Sequence, residues 1–384
     1  MEALFMQFDL TEEQLAIQET ARRFASDAIT PHASLWDEKC IFPRGTVKAA
    51  AALGFGAICV SEEAGGSGLG RLEAALIMEA LAYGCPSTSA FISIHNMSAW
   101  MIDKFGSPKL KEKYLPSLIT CEWLASYCLT EPDSGSDAAA LKTRAVRNGN
   151  SYLVTGSKAF ISGAGENENY LVMLRTGGDG PKGISCLVIE KDMPGVSFGA
   201  QERKLGWHSQ PTAQVHFDQV AVPVENLLGV EGEGFHIAMQ ALDGGRINIA
   251  ACSLGGAQRC LDETLAHTQS RRQFGKALAD FQATQFTLAD METNLQAARA
   301  LLYVAAEKVS AETPDATRFS AMAKRFVTDA CMQVADRALQ LHGGYGYLRD
   351  FPIERIYRDL RVHSILEGTN EIMRLIIARD MLKP

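Results

Sequence analysis

The chain changes hydrophobic rhythm twice. From Thr11 to about Thr120 apolar residues recur at helical spacing; from about Cys121 to Leu228 they gather in short β-branched and aromatic runs; from Gly234 onward the helical period returns. Segments of these two periods bury their apolar faces differently, so the order restricts the chain to a helical domain, a β domain and a second helical domain. Residues 151–154, 170–174 and 184–189 read as strands, and turn residues at 148–150, 177–180 and 193–195 separate them, which suits an antiparallel barrel or sandwich. The last segment has long runs rich in Ala, Leu, Gln and Arg, with proline only at Pro314, Pro352 and Pro384, which predicts a bundle of long antiparallel helices. The expected boundaries are 1–120, 121–230 and 231–384, a multidomain α+β chain.

At 384 residues the chain exceeds a single hydrophobic core. No window holds the eighteen or so uninterrupted apolar residues of a membrane span, so a soluble protein without a transmembrane segment is expected. A formal net charge of −8 argues against nucleic acid as partner. The nine cysteines include no Cys-x-x-Cys and no ligand-spaced histidines, so they read as free thiols in a reducing compartment, with no metal site expected. Residues Met1 to Met6 carry neither a secretory nor a transit signal, which suggests a cytoplasmic protein, or a mitochondrial matrix one if a transit peptide was removed.

Glu367 is the first candidate for a catalytic group. It stands between Ile365-Leu366 and Gly368, and a carboxylate among apolar residues loses hydration, so its pKa rises and it accepts protons near neutral pH. Ser364 three residues earlier offers a structural alternative, a capping box opening a helix. On this segment alone the two readings stand level, although Gly368 is a poor residue to follow a helix start.

Other phrases also admit two readings. Residues 127–137 crowd hydroxyls, acids, a proline and a glycine after a strand-like run, as a turn or as the wall of a heterocycle site; residues 158–164 repeat aromatic, hydroxyl and glycine. Gly244 and Gly245 interrupt a helical pattern, which implies a close approach by a neighbouring helix or a ligand. Residues 271–276 end a helix with basic groups that complement its carbonyl end or hold a pyrophosphate, and 339–347 brings glycine backbone close to something. Residues 65–70 contain Gly-x-Gly-x-Gly but follow no strand, so a flexible connection is expected there.

Taken in order, the phrases 127–137, 243–246, 271–275, 340–346 and 366–371 resemble those of the acyl-CoA dehydrogenase family over essentially the full chain. Phrases 183–186, 209–212, 244–250 and 286–291 resemble most the branch acting on isobutyryl-CoA, in valine breakdown. The resemblance implies a helical domain, a β-barrel-like domain and a carboxy-terminal four-helix bundle, with FAD between them. It implies that Tyr127, Cys128, Leu129, Thr130, Gly135 and Ser136, with Phe160, Ile161 and Ser162, line the isoalloxazine, Thr130 and Ser162 bonding its polar edge. Thr369, Asn370 and Glu371 would approach from the helical side. Arg271, Phe274, Phe281, Gln282, Gln340, Gly343 and Gly344 would contact the pyrophosphate and adenosine across a subunit interface, in a homotetramer.

Ser136, Asp243, Gly244, Gly245, Arg246 and Arg379 would form the acyl-CoA pocket and its approach. Glu367 would take the α-proton while the β-hydrogen leaves as hydride to the flavin, and its backbone N–H, with a ribityl hydroxyl, would meet the charge on the thioester oxygen. An electron-transfer flavoprotein would be the electron acceptor. Some relatives carry the base in the phrase that here reads Asp243-Gly244-Gly245-Arg246, where this chain has glycine. Gly244 and Gly245 are expected to leave lateral room for a branch at the α-carbon. Rival expectations are a butyryl- or 2-methylbutyryl-CoA dehydrogenase, an acyl-CoA oxidase, and a non-catalytic acyl-CoA or flavin-binding scaffold.

Overall fold

The computed structural model describes residues 10–383, so the reading of Met1 to Met6 lies outside the described residues. The first domain holds α1 (Glu12–Phe24), α2 (Ala33–Lys39), α3 (Arg44–Ala51), α4 (Arg71–Gly84), α5 (Pro86–Phe105) and α6 (Pro108–Ile119). Thr11 opens α1 with a capping box to Gln14, and Pro86 and Pro108 start their helices at the position where a missing N–H is harmless. The glycine-rich stretch 65–70 follows a single 3₁₀ turn, Glu62–Ala64, and leads into α4, so it is a connection and no dinucleotide fingerprint.

The middle domain is one sheet of β1 (Ala125–Cys128), β2 (Arg144–Asn148), β3 (Ser151–Ser162), β4 (Asn169–Arg175), β5 (Ile184–Glu190), β6 (Val196–Phe198), β7 (Thr212–Pro223) and β8 (Leu227–Leu228). Its order is β6-β7-β3-β2-β4-β5-β8, with β1 on β4. Pairing is antiparallel except β1 with β4 and the single Arg144–Arg175 step of β2 with β4, which are parallel. No hairpin joins β1 to β4, because the chain reaches β1 from α6 and leaves it through a long loop. β4 is buried along its whole length and β5 nearly so, which explains their unbroken apolar runs.

The last domain begins with α7 (Gly234–Ser270), turns through a small hairpin of β9 (Arg272–Gln273) and β10 (Lys276–Ala277), and continues as α8 (Gln282–Ser310), α9 (Ala316–His342), α10 (Pro352–Arg361) and α11 (Asn370–Met381). The long helices α7, α8 and α9 pack together, α11 lies on α9, and α4 of the first domain lies on α7. One hydrophobic cluster joins α4 and α5 to α7, α8 and α9, while a second joins α5 and α6 to β1, β4, β5 and the start of α7. The first half of α7 therefore lies where all three domains meet.

Candidate active site

Glu367 sits in that meeting place, in the short loop between α10 and α11. The capping residue of α11 is Thr369, whose hydroxyl accepts from the Ile372 N–H at 3.3 Å, whereas the Ser364 hydroxyl donates to the Arg361 carbonyl at 3.3 Å. Glu367 thus belongs to no capping box. Its φ is 53°, followed by 91° at Gly368, so the carboxylate is carried on a left-handed pair. A non-glycine residue there costs on the order of 1–3 kcal/mol and persists only where its surroundings hold it. Arg246 Nε donates to the Glu367 carbonyl at 3.2 Å, and Lys324 Nζ donates to the Gly368 carbonyl at 2.8 Å.

The residue is partly buried, but its Oε2 is sealed from solvent and has no hydrogen-bond partner among the described residues. Burial pushes its pKa up to about 7, against the pull of Arg246 and Lys324. The space that seals it is made by glycine. A Cβ at Gly245 would lie 2.5 Å from Glu367 Oε2 and 3.1 Å from Met97 Sδ, and one at Gly244 would lie 2.5 Å from the Arg71 guanidinium. The faces of the two glycines are turned to the side chains of Glu367, Met97 and Arg71, which lie close against the helix there.

Beside them, Asp243 accepts from Arg246 Nη1 at 2.8 Å and from the Thr317 hydroxyl at 2.6 Å, which places it between α7 and α9. Arg379 is exposed on the last turn of α11, next to Asp380, which pairs with Arg318. Asn370 turns its amide into α9, accepting from Lys324 at 2.9 Å and donating to Asp329 at 2.7 Å. Glu371 is exposed, and its carboxylate pKa is lowered by its own backbone N–H and the Thr369 hydroxyl in the first turn of α11.

Tyr127 brings the sheet to this place, its hydroxyl donating to the Ala238 carbonyl of α7 at 3.3 Å. Leu129, Thr130, Gly135 and Ser136 follow β1 as a loop, and Phe160 to Ser162 end β3 beside it. The Thr130 carbonyl accepts from the Ala159 N–H at 2.9 Å, and the Ser162 carbonyl accepts from the Ser126 hydroxyl at 2.7 Å. Cys128 and Ile161 put their side chains into the sheet interior. Phe160 is 66% exposed at φ 58°, while the buried Gln210 Oε1 and Thr212 Oγ1 beside Ser162 have no partner. An exposed aromatic next to unsatisfied polar atoms suits a flat heterocycle with polar edges.

The other expected cofactor residues lie elsewhere. Arg271 follows α7 about 39 Å beyond Gly245 at 1.5 Å per residue. There its guanidinium lies 5.5 Å from the Tyr345 ring centre, Phe274 and Phe281 meet edge to face, and Phe274 is 94% exposed. Gln282, Gln340, Gly343 and Gly344 are exposed at the same end. A single chain therefore presents two separate groups, one around Glu367 and one at the far end of α7, and does not bring them together.

Several residues of the first group were not singled out as site residues by their sequence. Lys158, fully buried, donates to Glu131 at 2.8 Å and to the Leu129 carbonyl at 2.9 Å, tying the loop after β1 to β3. Lys324 lies with Ser320 and Thr328 on the buried stripe of α9, a lysine at apolar spacing that could have drawn notice. Arg71 and Met97 come from α4 and α5 and carry no local signature.

Models of the amino-terminal, middle and carboxy-terminal domains of acyl-CoA dehydrogenases match residues 11–122, 126–220 and 232–382. The chain belongs to the acyl-CoA dehydrogenase family. It is 56% identical over 375 residues to the mitochondrial isobutyryl-CoA dehydrogenase of Dictyostelium discoideum and 52% identical over 374 to that of Bos taurus, each match covering 97% of this chain and 90% of the relative. The FAD complex of PigA superposes with a TM-score of 0.95 at 33% identity, covering 98% of this chain and 99% of that one. Like other acyl-CoA dehydrogenases this oxidoreductase is a flavoprotein, and the shelf of Thr130, Phe160 and Ser162 fits the FAD that the family carries. Among the described residues no helix is long and apolar enough to cross a membrane.

Proposed function

We propose that this acyl-CoA dehydrogenase converts isobutyryl-CoA to methacrylyl-CoA, a step of valine breakdown, with Glu367 as the base. The observation that carries the reading is the Glu367 carboxyl at the junction of all three domains, its Oε2 sealed and without a partner among the described residues and its pKa raised to about 7. A group half ionised near neutral pH can take the weakly acidic proton beside a thioester carbonyl. Thr130, Phe160 and Ser162 would hold FAD, which would supply a hydride acceptor for the β-carbon. Arg246 orients the turn from α7 through the Glu367 carbonyl. The Glu367 N–H donates to no acceptor among the described residues, which leaves it free to meet charge on the thioester oxygen. Ser136, Asp243 and Arg379 line the approach of the CoA portion.

The choice of isobutyryl-CoA is supported by the two relatives of that name, which share more than half of their aligned residues with this chain. A homotetramer would unite the two separated groups, the exposed Arg271, Phe274, Gln340 and Gly343 serving a cofactor whose flavin end lies in a neighbouring copy. FAD would then stabilise the assembly as well as the chain. An electron-transfer flavoprotein would reoxidise the enzyme. Specificity constants for isobutyryl-, 2-methylbutyryl- and butyryl-CoA, measured with that acceptor, test the reading. The expected order puts isobutyryl-CoA first, and a clear preference for butyryl-CoA overturns it. Hydrogen peroxide formed at the rate of turnover would identify an oxidase instead.

A further inference from the structure

Lys324 is fully buried on α9 and has no carboxylate within ion-pairing distance among the described residues. Its ammonium is spent on two acceptors, the Gly368 carbonyl at 2.8 Å and the Asn370 side-chain oxygen at 2.9 Å. The Asn370 amide is fixed in that orientation because its nitrogen donates to Thr328 Oγ1 at 3.0 Å and Asp329 Oδ1 at 2.7 Å. From the opposite helix, buried Arg246 donates to the carbonyl one residue earlier, that of Glu367, at 3.2 Å. Two buried cations on two helices thus hold consecutive carbonyls of one left-handed turn. A lysine serving only to tie α9 to α11 could do so through Asn370 alone.

We propose that Lys324 is a positioning residue for the base: together with Arg246 it clamps the turn at 367–368 and so sets where the Glu367 carboxylate points. The inference rests on the reading of Glu367 as the base. The clamp also sets the charge around that carboxylate. Arg246 and Cys252 act on it from α7, Lys324 from α9 and Tyr127 from β1, while Asp243 is held by Arg246, Glu371 is exposed at the start of α11 and Met97 of α5 is uncharged. Burial keeps Tyr127 and Cys252 protonated, and Asp243 is paired with Arg246, so Arg246 and Lys324 are the groups that favour ionised Glu367.

The test uses the FAD-loaded Lys324→Met enzyme and two readouts. One is infrared titration of the Glu367 carboxyl, assigned by its loss in Glu367→Gln; the other is the rate of flavin bleaching on anaerobic mixing with isobutyryl-CoA. The carboxyl is expected to titrate roughly one pH unit higher, because a nearby cation has been removed. Bleaching at neutral pH is expected to slow about 100-fold, the effect of a reacting group displaced by an ångström or so. Unchanged titration and bleaching in a variant that holds FAD would overturn the proposal. Should Lys324→Met not fold, Lys324→Gln keeps a donor for the Gly368 carbonyl without the charge. It should show the same upward titration with a smaller loss of rate, and an unmoved titration overturns the proposal there too. If Glu367→Gln bleaches like the parent, the base reading itself fails; if Glu367→Gln is dead while Lys324→Met is unaltered, only the clamp fails.

Discussion

Oε2 of Glu367 lies 2.5 Å from where a Cβ on Gly245 would stand. The two residues are far apart in sequence, one inside α7 and one in the loop before α11, yet they share one small volume. At Gly245 α7 contributes a gap, and the acid from the later loop fills it. A missing side chain and a present one therefore belong to the same design.

Gly245→Ala should cost activity without costing the fold. The added methyl meets the end of a flexible side chain rather than backbone, so Glu367 can swing aside. The expected result is FAD content and melting like the parent, with bleaching about 100-fold slower. Equal bleaching rates would show that the carboxylate does not need its present position.

The buried Lys158–Glu131 pair should respond unequally to the loss of either partner. Glu131→Ala leaves a fully buried ammonium with only the Leu129 carbonyl, a change expected to cost about 3–5 kcal/mol. Lys158→Met leaves Glu131 still accepting from the Lys142 and Thr143 N–H groups at 2.6 and 2.9 Å, so its cost should be smaller. Because the pair ties the loop after β1 to β3, FAD retention should fall in the same order. Denaturation midpoints and flavin-to-protein ratios check both.

Glu367 should make stability depend on pH in a defined direction. Its folded pKa, about 7, is above the unfolded value of about 4.5, so between these the folded chain keeps a proton that the unfolded chain has lost. Stability from this group is full below about pH 4.5, declines as pH rises, and is lost above about pH 7. Glu367→Gln removes the decline. The variant should gain on the order of 3 kcal/mol relative to the parent at pH 8 and less than about 1 kcal/mol at pH 5. A difference between variant and parent that is the same at both pH values would contradict the burial of the ionised carboxylate.

Much of this arrangement could be read from residues alone, and the limits are physical. The two changes of period locate the three structural regions because each depends on local spacing. Glu367 stands out through its apolar neighbours and Gly368. The close approach at Gly244 and Gly245 was legible as well, but what approaches was not, since Arg71, Met97 and Glu367 come from three other segments. The roles of Lys324 and Lys158 were opaque for the same reason, even though the apolar spacing of Lys324 was visible, as a buried lysine gains meaning only from the distant carbonyl or carboxylate it meets. The parallel seating of β1 on β4 also escaped, because strand composition does not encode direction.

The central claim is tested most directly by mixing Glu367→Gln, anaerobically and loaded with FAD, with excess isobutyryl-CoA. The account predicts that the variant binds the thioester and keeps its yellow colour, with bleaching slowed by several orders of magnitude relative to the parent. Bleaching at a rate near the parent's would show that another group removes the proton, and would contradict the account.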